Sequence, residues 1–232
     1  MGIVNLNCDS FHASSRVSSQ DEFRRKVDRM LEQGVSIIDI GAISSRPGAA
    51  AVSQQEEWER LEPALEAVAQ HYTGYSFSID TFRSSIVLMA YQTIGRFIVN
   101  DISAGEWDEA MLPVVGRLHL RYVAMHHRGT FETMHDRYDY DDVTAAVKSY
   151  FEQFSARAKE AGIEEWILDP GFGFSKDTRQ NLELLEHLDR LKIFRKPILV
   201  GISHKRFAMG DSESLEAKAV AKGASIIRKH IG

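Results

Sequence analysis

The sequence predicts an α/β protein, and within that class a TIM (β/α)8 barrel, on three observations. Eight short apolar runs recur along the chain, segments of helical pattern lie between them, and polar residues stand at the carboxyl end of nearly every run. The first two argue for a parallel sheet with crossover helices. Eight strands in 232 residues suit a closed barrel better than an open doubly wound sheet.

The runs are GIVNL (2–6), SIIDIG (36–41), YSFSID (75–80), RFIVNDI (96–102), RYVAMHH (121–127), WILDP (166–170), PILVGIS (197–203) and ASIIRKH (224–230). Most are rich in Ile, Val and Leu, the composition of strands buried on both faces. SSQDEFRRKVDRMLEQG reads as a helix with Ser18 or Ser19 as N-cap and Gly34 as its stop. SQQEEWERLEPALEAVAQHY repeats the design, with Ser53 and Glu56 spaced as a capping box. DVTAAVKSYFEQFSARAKEAG is a long amphipathic helix ending at Gly162, and NLELLEHLDRL and SESLEAKAVAKG are two more. No Pro/Ser/Gly-rich linker interrupts the chain, so residues 1–232 are expected to form one domain. The sequence starts inside the first run and stops at HIG after the eighth, which predicts a barrel lacking the last helix.

Composition narrows the function classes. The chain is 44% hydrophobic and 26% charged, an ordinary water-soluble balance. A formal net charge of -5 argues against a nucleic-acid surface. The single cysteine, Cys8, cannot form an internal disulfide, which fits a reducing compartment. There is no basic leader and no apolar run near the roughly 20 residues that span a bilayer. A cytoplasmic protein without a membrane partner is the expectation.

The strand ends carry Asn5, Asp39, Asp80, Asn100 with Asp101, His126 with His127, Asp169, Ser203 with Lys205, and Arg228 with His230. In a barrel these ends converge on one rim, where active sites sit. One such residue is ordinarily a cap or a turn former, and Asp39 and Asp101 read equally well that way. Caps do not account for Lys205, Arg228 and His230 at the same rim. Chemically, Asp80, Asn100, Asp169 and Lys205 offer donors and acceptors to a flat heterocycle with a guanidine-like edge. Asn5, Arg228 and His230 suit a phosphate or a metal-bound phosphate, Asn5 being a candidate oxygen ligand for Mg2+. HExxH and paired CxxC are absent, so a zinc site is not indicated. GFGF (171–174) is neither a dinucleotide fingerprint nor a Walker loop. Its Phe172 or Phe174 could be an aromatic wall or core packing.

Taken together, MGIVNLNCDSF, IIDIGAISSRPGAAAVSQQEE, SIDT, IVNDI, MHHRGTFETM, ILDPGFGFSK, LVGISHK and GASIIRKH resemble the dihydropteroate synthase family, in order and over nearly the whole chain. The resemblance implies a TIM-barrel transferase of folate biosynthesis. It would condense a 6-hydroxymethyl-7,8-dihydropterin diphosphate with 4-aminobenzoate and release pyrophosphate, and it would be a sulfonamide target. By position, Asp80, Asn100, Asp169 and Lys205 would hold the pterin, with Met125 also in the substrate-binding set. Asn5, Arg228 and His230 would bind the diphosphate, with Mg2+ at Asn5. Ser45, Arg46 and Pro47 with Phe174, Ser203 and Lys205 would border the aminobenzoate. Asp80, Lys205 and Arg228 are the implied catalytic residues.

Against the family pattern, Ser45 replaces a threonine, Ala13 an acid in the first loop, Ile43 a glutamate, and SHK stands for SRK. The segment after Lys205 is shortened and the last helix is missing, and the latter counts against the homodimer that the family builds through its C-terminal helices. Two other expectations stay open: a pterin-binding paralogue without turnover, and a pterin-dependent methyltransferase of the same superfamily.

Overall fold

The computed structural model describes residues 1–6, 16–45, 48, 52–136, 138–203 and 205–231. Strands β1 (Gly2–Asn5), β2 (Ile37–Gly41), β3 (Ser76–Asp80), β4 (Ile98–Asp101), β5 (Arg121–Met125) and β6 (Trp166–Asp169) form one parallel sheet in chain order. β7 (Leu199–Val200) and β8 (Ile226–Ile227) pair in parallel beside it. Single bridges close the ring. Leu168 pairs with Ile198 ahead of β7, and Gly2 pairs with Lys229 just past β8. The expected barrel is therefore present.

Among the described residues, seven α-helices lie between the strands: α1 (Arg16–Glu32), α2 (Gln54–His71), α3 (Ser84–Ile94), α4 (Met111–Arg117), α5 (Val143–Glu160), α6 (Thr178–Glu186) and α7 (Ser212–Ala221). Among the described residues no helix follows β8. None is long and apolar enough to cross a membrane.

Local chemistry sets most boundaries. Ser53 caps α2, its hydroxyl accepting from Glu56 N at 3.2 Å while Ser53 N donates to the Glu56 carboxylate at 2.8 Å. This is the reciprocal box that the sequence spacing predicts. Asp142 caps α5 and Asp177 caps α6, the latter with Gln180 in a second box. One expected start is corrected. α1 begins at Arg16, upstream of Ser18 and Ser19, so neither serine is its N-cap.

Alternation along the strands makes two layers. Ile38 and Ile40 of β2, Phe77 and Ile79 of β3, Val99 of β4 and Tyr122 of β5 face outward into the main core. There they meet Phe23, Leu61, Leu65, Ile86, Phe151 and Phe154 of the helices. The residues between them point into the barrel. Its floor is apolar, built from Ile98, Val123, Ile167 and Leu199 with Ile37 and Ile226 packed against them. Towards the strand carboxyl ends the same inward column turns polar, and there the candidate site begins.

Candidate active site

Pairing register aligns Asn5 with Gly41, Gly41 with Asp80, and Asp80 with Asn100 across four neighbouring strands. A Cβ on Gly41 would stand 3.2 Å from that of Asp80, so the glycine leaves the space between Asn5 and Asp80 open. One layer below, Asp39 is fully buried. Arg228, just past β8, reaches across the barrel and donates to both acids: Nε to Asp39 Oδ2 at 2.7 Å and Nη2 to Asp80 Oδ2 at 2.7 Å. Asn100 Nδ2 donates to the two Asp39 oxygens at 3.3 and 3.2 Å. Residues up to 189 positions apart are thus joined in one hydrogen-bonded cluster.

On the other side of the mouth, Asp169 ends β6 opposite Met125 of β5. Its Oδ1 accepts from Gly171 N at 2.8 Å, which turns the chain sharply after the strand. Gly171 holds φ 69 and any Cβ there would strike the His126 carbonyl, so glycine is required. Lys205 donates from Nζ to the Phe172 carbonyl, and its Nζ sits 4.3 Å from the centroid of the Phe174 ring.

The electrostatics follow from burial. Burial pushes the Asp80 carboxyl up to about 7, with Arg228 pulling the other way. Burial also raises Asp169, opposed first by Lys205. The Lys205 ammonium is lowered to about 8 by burial, with Asp169 working against that shift. For Arg228 burial disfavours the charge, but Asp39 and then Asp80 outweigh it and hold the guanidinium firmly protonated. Perturbed groups of both signs meeting at one end of the barrel mark a candidate functional site.

An apolar wall borders the polar cluster. Ile102, Met125, Met134 and Phe174 cluster at the rim, backed by Phe82, Trp107 and Phe131. Phe174 is therefore a wall residue, whereas Phe172 packs in the main core. Ser45 follows β2, and its carbonyl lies 2.5 Å from His135 Nε2. Ser203 is on the turn after β7, and His230 is exposed two residues beyond Arg228. Arg46 and Pro47 lie outside the described residues.

The two ambiguous aspartates separate cleanly. Asp39 points inward and belongs to the site. Asp101 points outward and accepts from Ser103 N, Ser103 Oγ and Gly105 N at 2.7, 2.7 and 2.9 Å, and from the Tyr122 hydroxyl. It is a turn former. Sequence reasoning left Asp39 undecided, yet a lone acid flanked by isoleucines inside a buried strand must find a partner there. Lys176 went unnoticed as well. It is buried, its ammonium donating to the Gly171 and Phe174 carbonyls at 3.0 and 3.1 Å and lying 2.9 Å from His126 Nδ1. It fixes the turn that carries Phe174.

A cleft of about 420 Å3 opens at the opposite mouth, lined by Tyr75, Arg96, His119, Arg121 and Glu165 among others. There Arg121 and Glu165 pair with each other at 2.7 Å. The inward acids and Arg228 stand at the other end of the strands.

The geometry defines a barrel enzyme whose strand ends cradle a polar ring beneath an apolar wall. The family described as "Pterin binding enzyme" matches residues 1–230. The dihydropteroate synthase of Escherichia coli K12 is 37% identical over 243 residues, covering 99% of this chain and 85% of that protein. A mitochondrial folate synthesis bifunctional protein of Pisum sativum is 41% identical over 222 residues, and the match takes in 89% of this chain but only 43% of that longer protein. Among solved structures, Yersinia pestis dihydropteroate synthase in a sulfonamide drug complex superposes with TM-score 0.90 at 34% identity, covering 100% of this chain and 88% of that one. The Xanthomonas albilineans enzyme with 4-aminobenzoic acid gives TM-score 0.87 at 33% identity, covering 99% and 86%. The chain belongs to the dihydropteroate synthase family of pterin-binding transferases.

Proposed function

We propose that the chain acts as a dihydropteroate synthase. It joins 6-hydroxymethyl-7,8-dihydropterin diphosphate to 4-aminobenzoate, giving 7,8-dihydropteroate and pyrophosphate. The observation that carries this reading is a pair of carboxylates, the fully buried Asp39 and the partly buried Asp80, bridged by Arg228, with Asn100 donating to Asp39. The guanidinium of Arg228 occupies donor positions that a guanidine-like pterin edge would fill.

In this reading Asp80, Asn100, Asp169 and Lys205 bind the pterin and exclude alternative orientations. Arg228, firmly charged, faces the diphosphate together with His230. The exocyclic C–O bond breaks with its electrons leaving on the diphosphate. The aminobenzoate nitrogen forms the new C–N bond and sheds a proton to solvent. That amine carries a free lone pair at neutral pH, so the site needs no strong base. Preplaced charge is the main contribution of the protein. Phe174, Ser45, Ser203 and Lys205 border the aminobenzoate, with Arg46 and Pro47 assigned to the same pocket by family position.

For Mg2+, the donor set fits. Asn5 offers an amide oxygen beside the open space left by Gly41, and Mg2+ commonly keeps its waters and binds through few protein groups. Asn5 would hold the ion, which when bound would neutralise charge on the diphosphate. A homodimer is part of the proposal. Leu182 of α6, Val220 of α7 and Met209 leave large apolar side chains exposed, Met209 by 80%.

The test is an assay of dihydropteroate and pyrophosphate formation with Mg2+, run beside calorimetric binding of the pterin diphosphate. Both products in equal amounts, with a sulfonamide competing against aminobenzoate, are expected. Tight pterin binding without product would instead mark a paralogue that binds and does not turn over.

A further inference from the structure

Three of the loops on the rim meet at His135. The turn around residues 130–136, after β5, is riveted to the turn after β6 through Ser175. Its N and Oγ donate to the Met134 carbonyl at 2.8 and 3.1 Å, and its Oγ accepts from Arg128 N at 2.8 Å. The His135 ring stacks on Phe174, centroids 5.1 Å apart at 28°. Its Nε2 lies 2.5 Å from the carbonyl of Ser45, 90 residues away on the loop after β2. A carbonyl only accepts, so Nε2 carries the proton. The two residues that His135 joins, Ser45 and Phe174, are the ones assigned above to the aminobenzoate pocket. Nothing in the reaction steps uses this histidine.

From this geometry we infer that His135 is a positioning residue for the second substrate. It pins the Ser45 loop to the Phe174 wall and so sets the width of the aminobenzoate pocket, leaving the pterin cup untouched. This rests on the function proposed above. The pterin cup is anchored separately, through Arg228, Asp39, Asp80 and Asn100. Ser45 is only partly buried, and the loop that carries it is tied elsewhere by Arg60 to the Ala42 carbonyl at 3.0 Å and by Arg83 to that of Val52 at 2.6 Å. Among the described residues, the His135 bond holds Ser45 itself.

The experiment compares wild type, His135→Ala and His135→Gln in steady-state kinetics with each substrate varied in turn, and records melting temperatures alongside. Loss of one hydrogen bond and one ring contact should raise KM for aminobenzoate about fivefold or more in His135→Ala. KM for the pterin diphosphate and the melting temperature should stay at wild-type values. His135→Gln, which keeps a donor, should recover part of the loss. Equal increases in both KM values, an unchanged KM for aminobenzoate, or a lowered melting temperature with no such split would each overturn the positioning role while leaving the synthase reading intact. A wild type that forms no product would sink both.

Discussion

The floor and the mouth of the barrel are built from the same strands and behave as opposites. At the floor, Ile98, Val123, Ile167 and Leu199 fill the interior with side chains that ask nothing of one another beyond shape. Two residues further along β4, Asn100 replaces that chemistry, and two residues beyond Ile167 stands Asp169. The mouth therefore holds charges that survive burial only by pairing, as Asp39 does with Arg228. The floor supplies stability, whereas the mouth holds polar groups that need partners.

The sharpest way to break this division is to remove the shared cation. Arg228→Met leaves the fully buried Asp39 without its counter-charge. The expected cost is about 3–5 kcal/mol of stability, together with loss of turnover, read by denaturant unfolding and by assay. At the floor, Ile167→Ala should cost about 3 kcal/mol in the same unfolding experiment. Pterin affinity should remain within about twofold, and a larger loss would mean that floor and mouth are not separable.

A smaller effect isolates the mouth. Asp169→Asn should weaken pterin binding by about 2 kcal/mol in calorimetry, since a charge-assisted bond to the ring is lost. Unchanged affinity would take Asp169 out of the site. The pH dependence sharpens the comparison further. Lys205 is depressed to about 8, so it is charged below that pH and neutral above it. On this limb pterin affinity should fall as pH rises through about 8. Lys205→Arg, which stays charged, should flatten that limb. Smallest of all, Ser53→Ala removes the cap of α2. It should lower stability by about 1 kcal/mol.

Much of this was legible in the residues. The eight runs, the Ser53 box and the convergence of Asp80, Asn100 and Arg228 could be read because buried parallel strands and capped helices have strong local signatures. Where tertiary context decides, the sequence was silent. α3 is apolar nearly all round and carries β-branched Ile86, Val87 and Ile94, so it lacks a clear polar face. α4 is seven residues long and contains Pro113 and Gly116, which obscure a helical pattern. In the site, Asn100 and Asp101 are chain neighbours, yet one faces the cup and the other the helices. Composition cannot tell them apart, and only strand parity does. His135 was invisible because both its partners are remote in sequence.

The most direct test is a crystal structure with a soaked pterin. The ring should bind at the strand carboxyl ends, with Asp80, Asn100, Asp169 and Lys205 in contact and Arg228 released from at least one of its two acids. A pterin lodged instead in the cleft beside Arg96 and His119 at the opposite mouth, with the Asp39–Arg228–Asp80 bridge unchanged, would contradict it.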